Sequence, residues 1–137
     1  MNNLMVAIYG KLAGSTLAGL ISGRMYQGKA APGAAMPYVV FSPVGEYREK
    51  TFHEVYVNTR VQFAIYTAGE DAPSVGQAIY QAIIDLYDEC ALTITGSTLL
   101  WMRHDNTIPM INTGENPEGT GITPEIVAEF DVRESLN

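Results

Sequence analysis

Cysteine occurs once in this chain, at Cys90, so no disulfide can form within it. Histidine occurs twice, at His53 and His104, and no pair drawn from these three residues has a metal-ligand spacing such as CxxC or HxxxH. A Cys–His nucleophile pair is equally poorly provided for, because Cys90 follows Asp88 and Glu89, and neighbouring carboxylates raise a thiol pKa. Basic residues are scarce as well: 8 Lys and Arg stand against 15 Asp and Glu, for a net charge of -7. That balance argues against nucleic-acid binding through phosphate neutralisation, which needs a basic face, and against adhesion to an anionic membrane. No apolar run reaches the roughly 18 residues that span a bilayer. The start shows no basic segment followed by an apolar core and a cleavage site. The expectation is a soluble protein made in the cytoplasm, with no membrane partner.

Catalytic signatures are also missing. Asp85 and Glu89 share a helical face, which reads as a solvated polar surface rather than a general acid–base pair. The glycine-rich run "GENPEGTG" lacks the lysine and the Ser/Thr of a phosphate-binding loop and does not match GxGxxG. No catalytic residue, no metal ligand and no cofactor is assigned, and the chain is not expected to be an enzyme.

What is present is a globular chain of 137 residues, 47% hydrophobic and 17% charged, enough for one domain with a real core. Leu4, Ile8 and Leu12 at spacing four, with Met5 beside them, predict a short N-terminal helix ending at Gly14; "STLAGLISG" adds a further turn. Arg24 to Tyr26 and Tyr38 to Val44 read as strands, the second opened by Pro37. The clearest strand is "HEVYVNTRVQFAIYT". There Val55, Val57, Thr59, Val61, Phe63 and Ile65 fall on one face, and Tyr56, Asn58, Arg60, Gln62, Ala64 and Tyr66 on the other. The segment "EDAPSVGQAIYQAIIDLYDE" predicts the main helix, with Val75, Ile79, Ile83 and Leu86 as its apolar stripe and Pro73 in its first turn. Leu92 to Thr95, Leu99 to His104 and Ile126 to Val132 complete the predicted strands. A Gly/Pro-rich loop covers about residues 105–125. The order predicts a single α+β domain over residues 1–137: one mostly antiparallel sheet with two main helices packed on one face.

Four stretches in this order carry a resemblance. They are the helix "LMVAIYGKLAGSTLAGLISGRMY" ending in Gly-Arg-aliphatic-Tyr, the run "APGAAMPYVVF", the strand "TRVQFAIYT", and the helix segment "AIYQAIIDL". Together they cover about residues 4–87, and the sequence resembles the phage tail-completion, or tail terminator, family of long-tailed phages and prophages. The resemblance implies a structural virion protein that forms a homo-oligomeric ring, commonly a hexamer, on the last ring of the tail tube. Such a ring stops tube polymerisation and offers the joining surface to the head connector. Its implied partners are further copies of itself, the tail tube protein and a head-completion or connector protein. DNA would pass through the channel without specific binding, which suits an acidic lining that repels phosphates. The place implied is the head-proximal end of the virion tail, after assembly in the host cytoplasm.

Three surfaces are the candidates for subunit or partner contact. The first is a polar hairpin tip "GEYREKTF" with Glu46, Arg48, Glu49 and Lys50. The second is the outward face of the long strand, with Tyr56, Arg60, Gln62 and Tyr66, whose aromatic and arginine content is that of interfaces. A helix of the same chain covering that face is the competing expectation. The third is the loop Asn106 to Glu125, whose Ile108, Met110, Ile111 and Ile122 need a surface to cover them. The alternatives are a small-molecule or peptide-binding α+β module that uses the open sheet face, a head-side adaptor of the same connector, and an enzyme whose site is completed between subunits.

Overall fold

The structure, a computed structural model, describes residues 2–69, 72–109 and 125–136. The elements run α1 (Asn2–Gly10), α2 (Thr16–Ile21), β1 (Met25–Gln27), β2 (Tyr38–Lys50), β3 (Val55–Tyr66), α3 (Ala72–Tyr87), β4 (Ser97–Pro109) and β5 (Ile126–Leu136). The fold is α+β, as the pattern predicts, with one five-stranded sheet in the order β1-β2-β3-β5-β4. Only β1 and β2 run parallel; every other pair is antiparallel.

The N-terminal pattern yields two helices. The spacing of Leu4, Ile8 and Leu12 buries all three on one side. Ser15 then starts α2 by accepting a hydrogen bond from the Ala18 amide at 3.1 Å. Ser22 and Gly23 stop it, both with positive φ, and the Gly23 amide returns to the Ala18 carbonyl at 2.9 Å. That left-handed exit delivers Arg24, whose carbonyl accepts from the Val39 amide at 3.0 Å and whose Nε donates to the Pro37 carbonyl at 3.1 Å. The motif Gly-Arg-aliphatic-Tyr is thus the joint that sets β1 beside β2.

Strict alternation in β3 sorts the sheet into two faces. Val39, Phe41, Val61, Phe63, Ile65, Met102, Ala128, Phe130 and Val132 meet the helices in one core. Phe63 is its centre: its ring lies 6.1 Å from Phe41, 4.9 Å from Tyr87 and 5.3 Å from Phe130. From α3, Ile79, Ala82, Ile83 and Tyr87 are buried, while Val75 and Leu86 are partly covered. Tyr87, whose burial the apolar stripe does not foresee, donates from its hydroxyl to the Ile8 carbonyl at 2.7 Å and ties α3 to α1. Near the other end of α3, Gly76 packs closely against Glu125 and Ile126 where β5 begins. A Cβ there would lie 2.9 Å from Glu125 Cγ.

Three local expectations are corrected. The stretch Gly45–Lys50 is not a hairpin tip but the second half of β2, paired residue by residue with Arg60 to Val55 after a bulge between Pro43 and Gly45. The turn is only Thr51 to Glu54, closed by the Thr51 amide on the Glu54 carbonyl at 2.9 Å. Leu92 to Thr95 forms no strand; it is irregular chain that places Ile94 in the core. The long loop starts later than expected, because Asn106 to Pro109 belong to β4 and pair with Glu129 to Ile126. Met110, Ile111 and Ile122 lie outside the described residues.

Candidate functional site

The sheet face away from the core has no helix packed on it among the described residues, so the competing expectation of a covering helix does not hold there. Register determines which side chains meet on it. Arg60 of β3 stands opposite Asp131 of β5, Gln62 opposite Glu129 and Asn58 opposite Arg133. Across the next ladder Arg103 faces Asp131 and Asn106 faces Glu129. Side chains of alternating charge from three strands therefore share one surface.

Arg60 is the hub. Its guanidinium reaches Asp105 at 2.7 Å, Asp131 at 3.4 Å and Glu129 at 3.6 Å, with Asn106 donating to Glu129 at 3.0 Å. The hydrogen bond to Asp105 raises the Arg60 pKa further above its ordinary range. Each exposed pair contributes only about 0–1 kcal/mol, so the cluster orients charge more than it holds the fold. Arg133 forms a second hub. It pairs with Glu49 at 2.8 Å, donates to Asn58 at 3.2 Å, and lies 4.5 Å over the Tyr56 ring and 5.4 Å from Trp101. Arg103 covers Trp101 at 4.5 Å. Between the hubs is a concavity of about 500 Å³ lined by Tyr47, Asn58, Arg60, Trp101, Asp131 and Arg133. At the other end of the face Tyr26, Tyr38 and Tyr66 form an aromatic strip with ring distances of 5.8 and 4.9 Å. Burial pushes the Tyr38 and Tyr66 phenols above their ordinary pKa.

The candidate residues divide accordingly. Tyr56, Arg60, Gln62 and Tyr66 do share this face, and Glu49 joins them through Arg133. Glu46 and Arg48 face the other way, since they stand opposite Thr59 and Val57; they pair at 3.7 Å beside a small recess that also holds Glu134. Lys50 ends β2 opposite Val55. Ile108 is exposed near the end of β4, opposite Val127. Sequence reasoning missed Asp105, Trp101, Glu129, Asp131 and Arg133. Alternation in β5 could have singled out Glu129, Asp131 and Arg133. Asp105 and Trp101 could not be placed, because bulges at Leu99/Trp101 and His104/Asn106 shift the phase of β4 twice. Also missed was Glu134, buried on the helix side with Ser97 donating to it at 2.7 Å.

His104 and Cys90 pack within the fold, while His53 is exposed at the β2–β3 turn. His104 packs 5.5 Å from Phe130 and 6.0 Å from Tyr80, with Nε2 at 2.7 Å from the Thr107 hydroxyl. Cys90 is half-buried, and burial pushes its thiol pKa up. The face away from the core offers fixed charges, hydrogen-bond donors and aromatic rings.

The arrangement defines an α+β protein with helices on one sheet face and, among the described residues, none on the other, which is open around Arg60 and Arg133 and buried at Tyr38, Ala64 and Val127. No protein-family model matches the chain, and no curated protein matches it in sequence. Among solved structures the fold is similar to that of a chain in the "Virion of native gene transfer agent (GTA) particle". The TM-score is 0.72 over 97% of this chain and 92% of that one, with 17% of residues identical. Similarity at that identity is a similarity of fold.

Proposed function

We propose that this is a structural virion protein, a tail terminator that forms a homohexameric ring on the end of a tail tube. The ring stops tube growth, presents the joining surface to the head connector, and sits at the head-proximal end of the tail. The observation that carries this reading is the fold it shares, over nearly the whole of both chains, with a chain of a virion particle. Independently, the ordered stretches between Leu4 and Tyr87 resemble the tail-completion family. The open sheet face supplies a contact surface, and the role asks for no bond-making chemistry, cofactor or metal. A net charge of -7 per copy suits a channel that lets DNA pass without holding it.

Electron microscopy of the purified protein, alone and mixed with tail tubes, tests the reading. Rings of uniform diameter with a central hole, or such rings on tube ends, are the expected result. A protein that stays monomeric at high concentration and leaves tubes uncapped overturns it.

Arg60→Ala separates assembly from folding. The residue is partly exposed and its three ion pairs are at the surface, so thermal unfolding is expected to shift by no more than a few degrees, about 1 kcal/mol or less. Three carboxylates left without their cation on the contact face are expected to weaken ring formation, read as a higher concentration at half-assembly. Unchanged assembly with a large loss of folding stability would place Arg60 in the fold rather than in the contact.

A further inference from the structure

Two apolar features far apart on the fold have no partner among the described residues. One is Phe52, held out at the β2–β3 turn with 102% of its surface exposed. The turn is not a slack loop: the Thr51 hydroxyl accepts from the Glu54 amide at 3.1 Å and the His53 amide at 3.4 Å, so the ring is presented from a braced hairpin. The other is a groove of about 450 Å³ between α1 and the edge of the sheet, walled by Met5, Val6, Tyr9, Met25 and Phe41, with Lys29 on its rim. Val6 and Tyr9 leave 62% and 51% of their surface exposed there. Phe41 and Lys50 belong to the same strand, nine residues apart, which is about 30 Å of extended chain. Phe52 therefore cannot fill the groove of its own copy.

Charge favours a second copy as the occupant. Before Glu46 the chain holds Lys11, Arg24 and Lys29 and no acidic residue; all 15 Asp and Glu come after. Every residue lining the groove comes from this stretch, so the chain that forms it brings only basic charge. Among the described residues Lys29 makes no ion pair, and the Glu54 carboxylate, two residues past Phe52, has no cation partner and accepts from the Tyr56 hydroxyl. An aromatic knob flanked by Glu54 and Lys50 faces a groove of matching apolar character, and of the two flanking charges it is Glu54 that complements Lys29 on the groove rim.

We propose that Phe52 at the hairpin tip of one copy seats in the α1–β1 groove of the next, with Glu54 against Lys29. The contact joins two different surfaces, so the copy that gives its knob keeps its groove free and the copy that receives it keeps its knob free, and repetition builds a ring when the rotation closes. The proposal rests on the ring reading above and specifies how its subunits are joined.

The test compares wild type with Phe52→Glu and Val6→Glu by mass photometry and sedimentation, alone and with tail tubes. Both positions are exposed, so each variant is expected to melt like wild type while its association weakens about tenfold or more. An equimolar mixture of the two retains one intact knob–groove pair and is expected to give pairs but no rings. Oxidation of a Phe52→Cys/Val6→Cys double variant is expected to give a covalent ladder between copies, absent from either single variant. Rings of unchanged size from both glutamate variants, with no ladder, overturn the contact and leave the ring reading standing. Loss of tube capping by Val6→Glu alone, with Phe52→Glu unaffected, assigns the groove to another virion protein and also overturns it. A wild type that never associates, even on tubes, overturns the ring and the contact together.

Discussion

Phe63→Ala is expected to cost about 3–5 kcal/mol of folding stability, the largest loss expected from any substitution considered for this chain. The ring is fully buried on central strand β3 and is touched by aromatic rings from β2, β5 and α3, at 6.1, 5.3 and 4.9 Å. Removing it deletes apolar burial and leaves a void bordered by three stiff rings, Phe41, Phe130 and Tyr87. Close-packed rings refill such a void only in part, so a cavity term adds to the lost burial. For a domain of this size the loss corresponds to a melting temperature lower by roughly 10–20 °C. Phe63→Leu, which keeps most of the volume, is expected to recover more than half of it. A Phe63→Ala protein that melts within about 3 °C of wild type would mean that the core collapses freely around the site.

Stability is expected to fall steeply above about pH 10, and Tyr87 is expected to be a principal cause. Its phenol is fully buried, and desolvation pushes its pKa well above the ordinary 10.0. Ionisation would also remove the proton that its hydroxyl donates to the Ile8 carbonyl at 2.7 Å, leaving an anion facing an oxygen. In the unfolded chain the same phenol ionises near 10.0. Below that pH both states keep the proton and the contribution is whole. Above it the unfolded state gives the proton up while the folded state holds it, so alkali favours unfolding. The slope approaches about 1.4 kcal/mol per pH unit for each such tyrosine. Tyr38 and Tyr66, both raised by desolvation, add to it in the same direction.

Tyr87→Phe tests the assignment. At neutral pH it is expected to cost about 1–3 kcal/mol, because the buried Ile8 carbonyl loses its donor. It also removes one titrating group, so the gap between variant and wild type is expected to narrow as pH rises past 10. Urea unfolding followed from pH 7 to pH 11 measures both. An alkaline slope identical in the two proteins would assign the loss to other groups.

The strand β3, the helices α1 and α3 and the acidic balance were legible in the sequence because each is a local property. Period two over Val55 to Tyr66 decides which side chains share a face whatever lies beside them. The spacing of Leu4, Ile8 and Leu12 does the same for the N-terminal helix. The order of "GRMY" and "PYVVF" also foretold a strand pair, because positive φ at Ser22 and Gly23 turns the chain where the helix ends. The length of β2 was not legible. Gly45 to Lys50 carries the composition of a loop, and its extended form comes from the backbone bonds offered by Arg60 to Val55. Nor could a local pattern show that Arg60 would collect carboxylates from two other strands. That depends on the β3–β5 register and on two bulges in β4, and register is set by whole-sheet pairing rather than by any one strand. Tyr87 read as one more residue at a helix end until α1 supplied a carbonyl for its hydroxyl. The sequence by itself determined which residues face together along each element. Only tertiary structure decided which elements became neighbours, because those contacts join groups far apart in the chain, and hence which side chains were left facing outward.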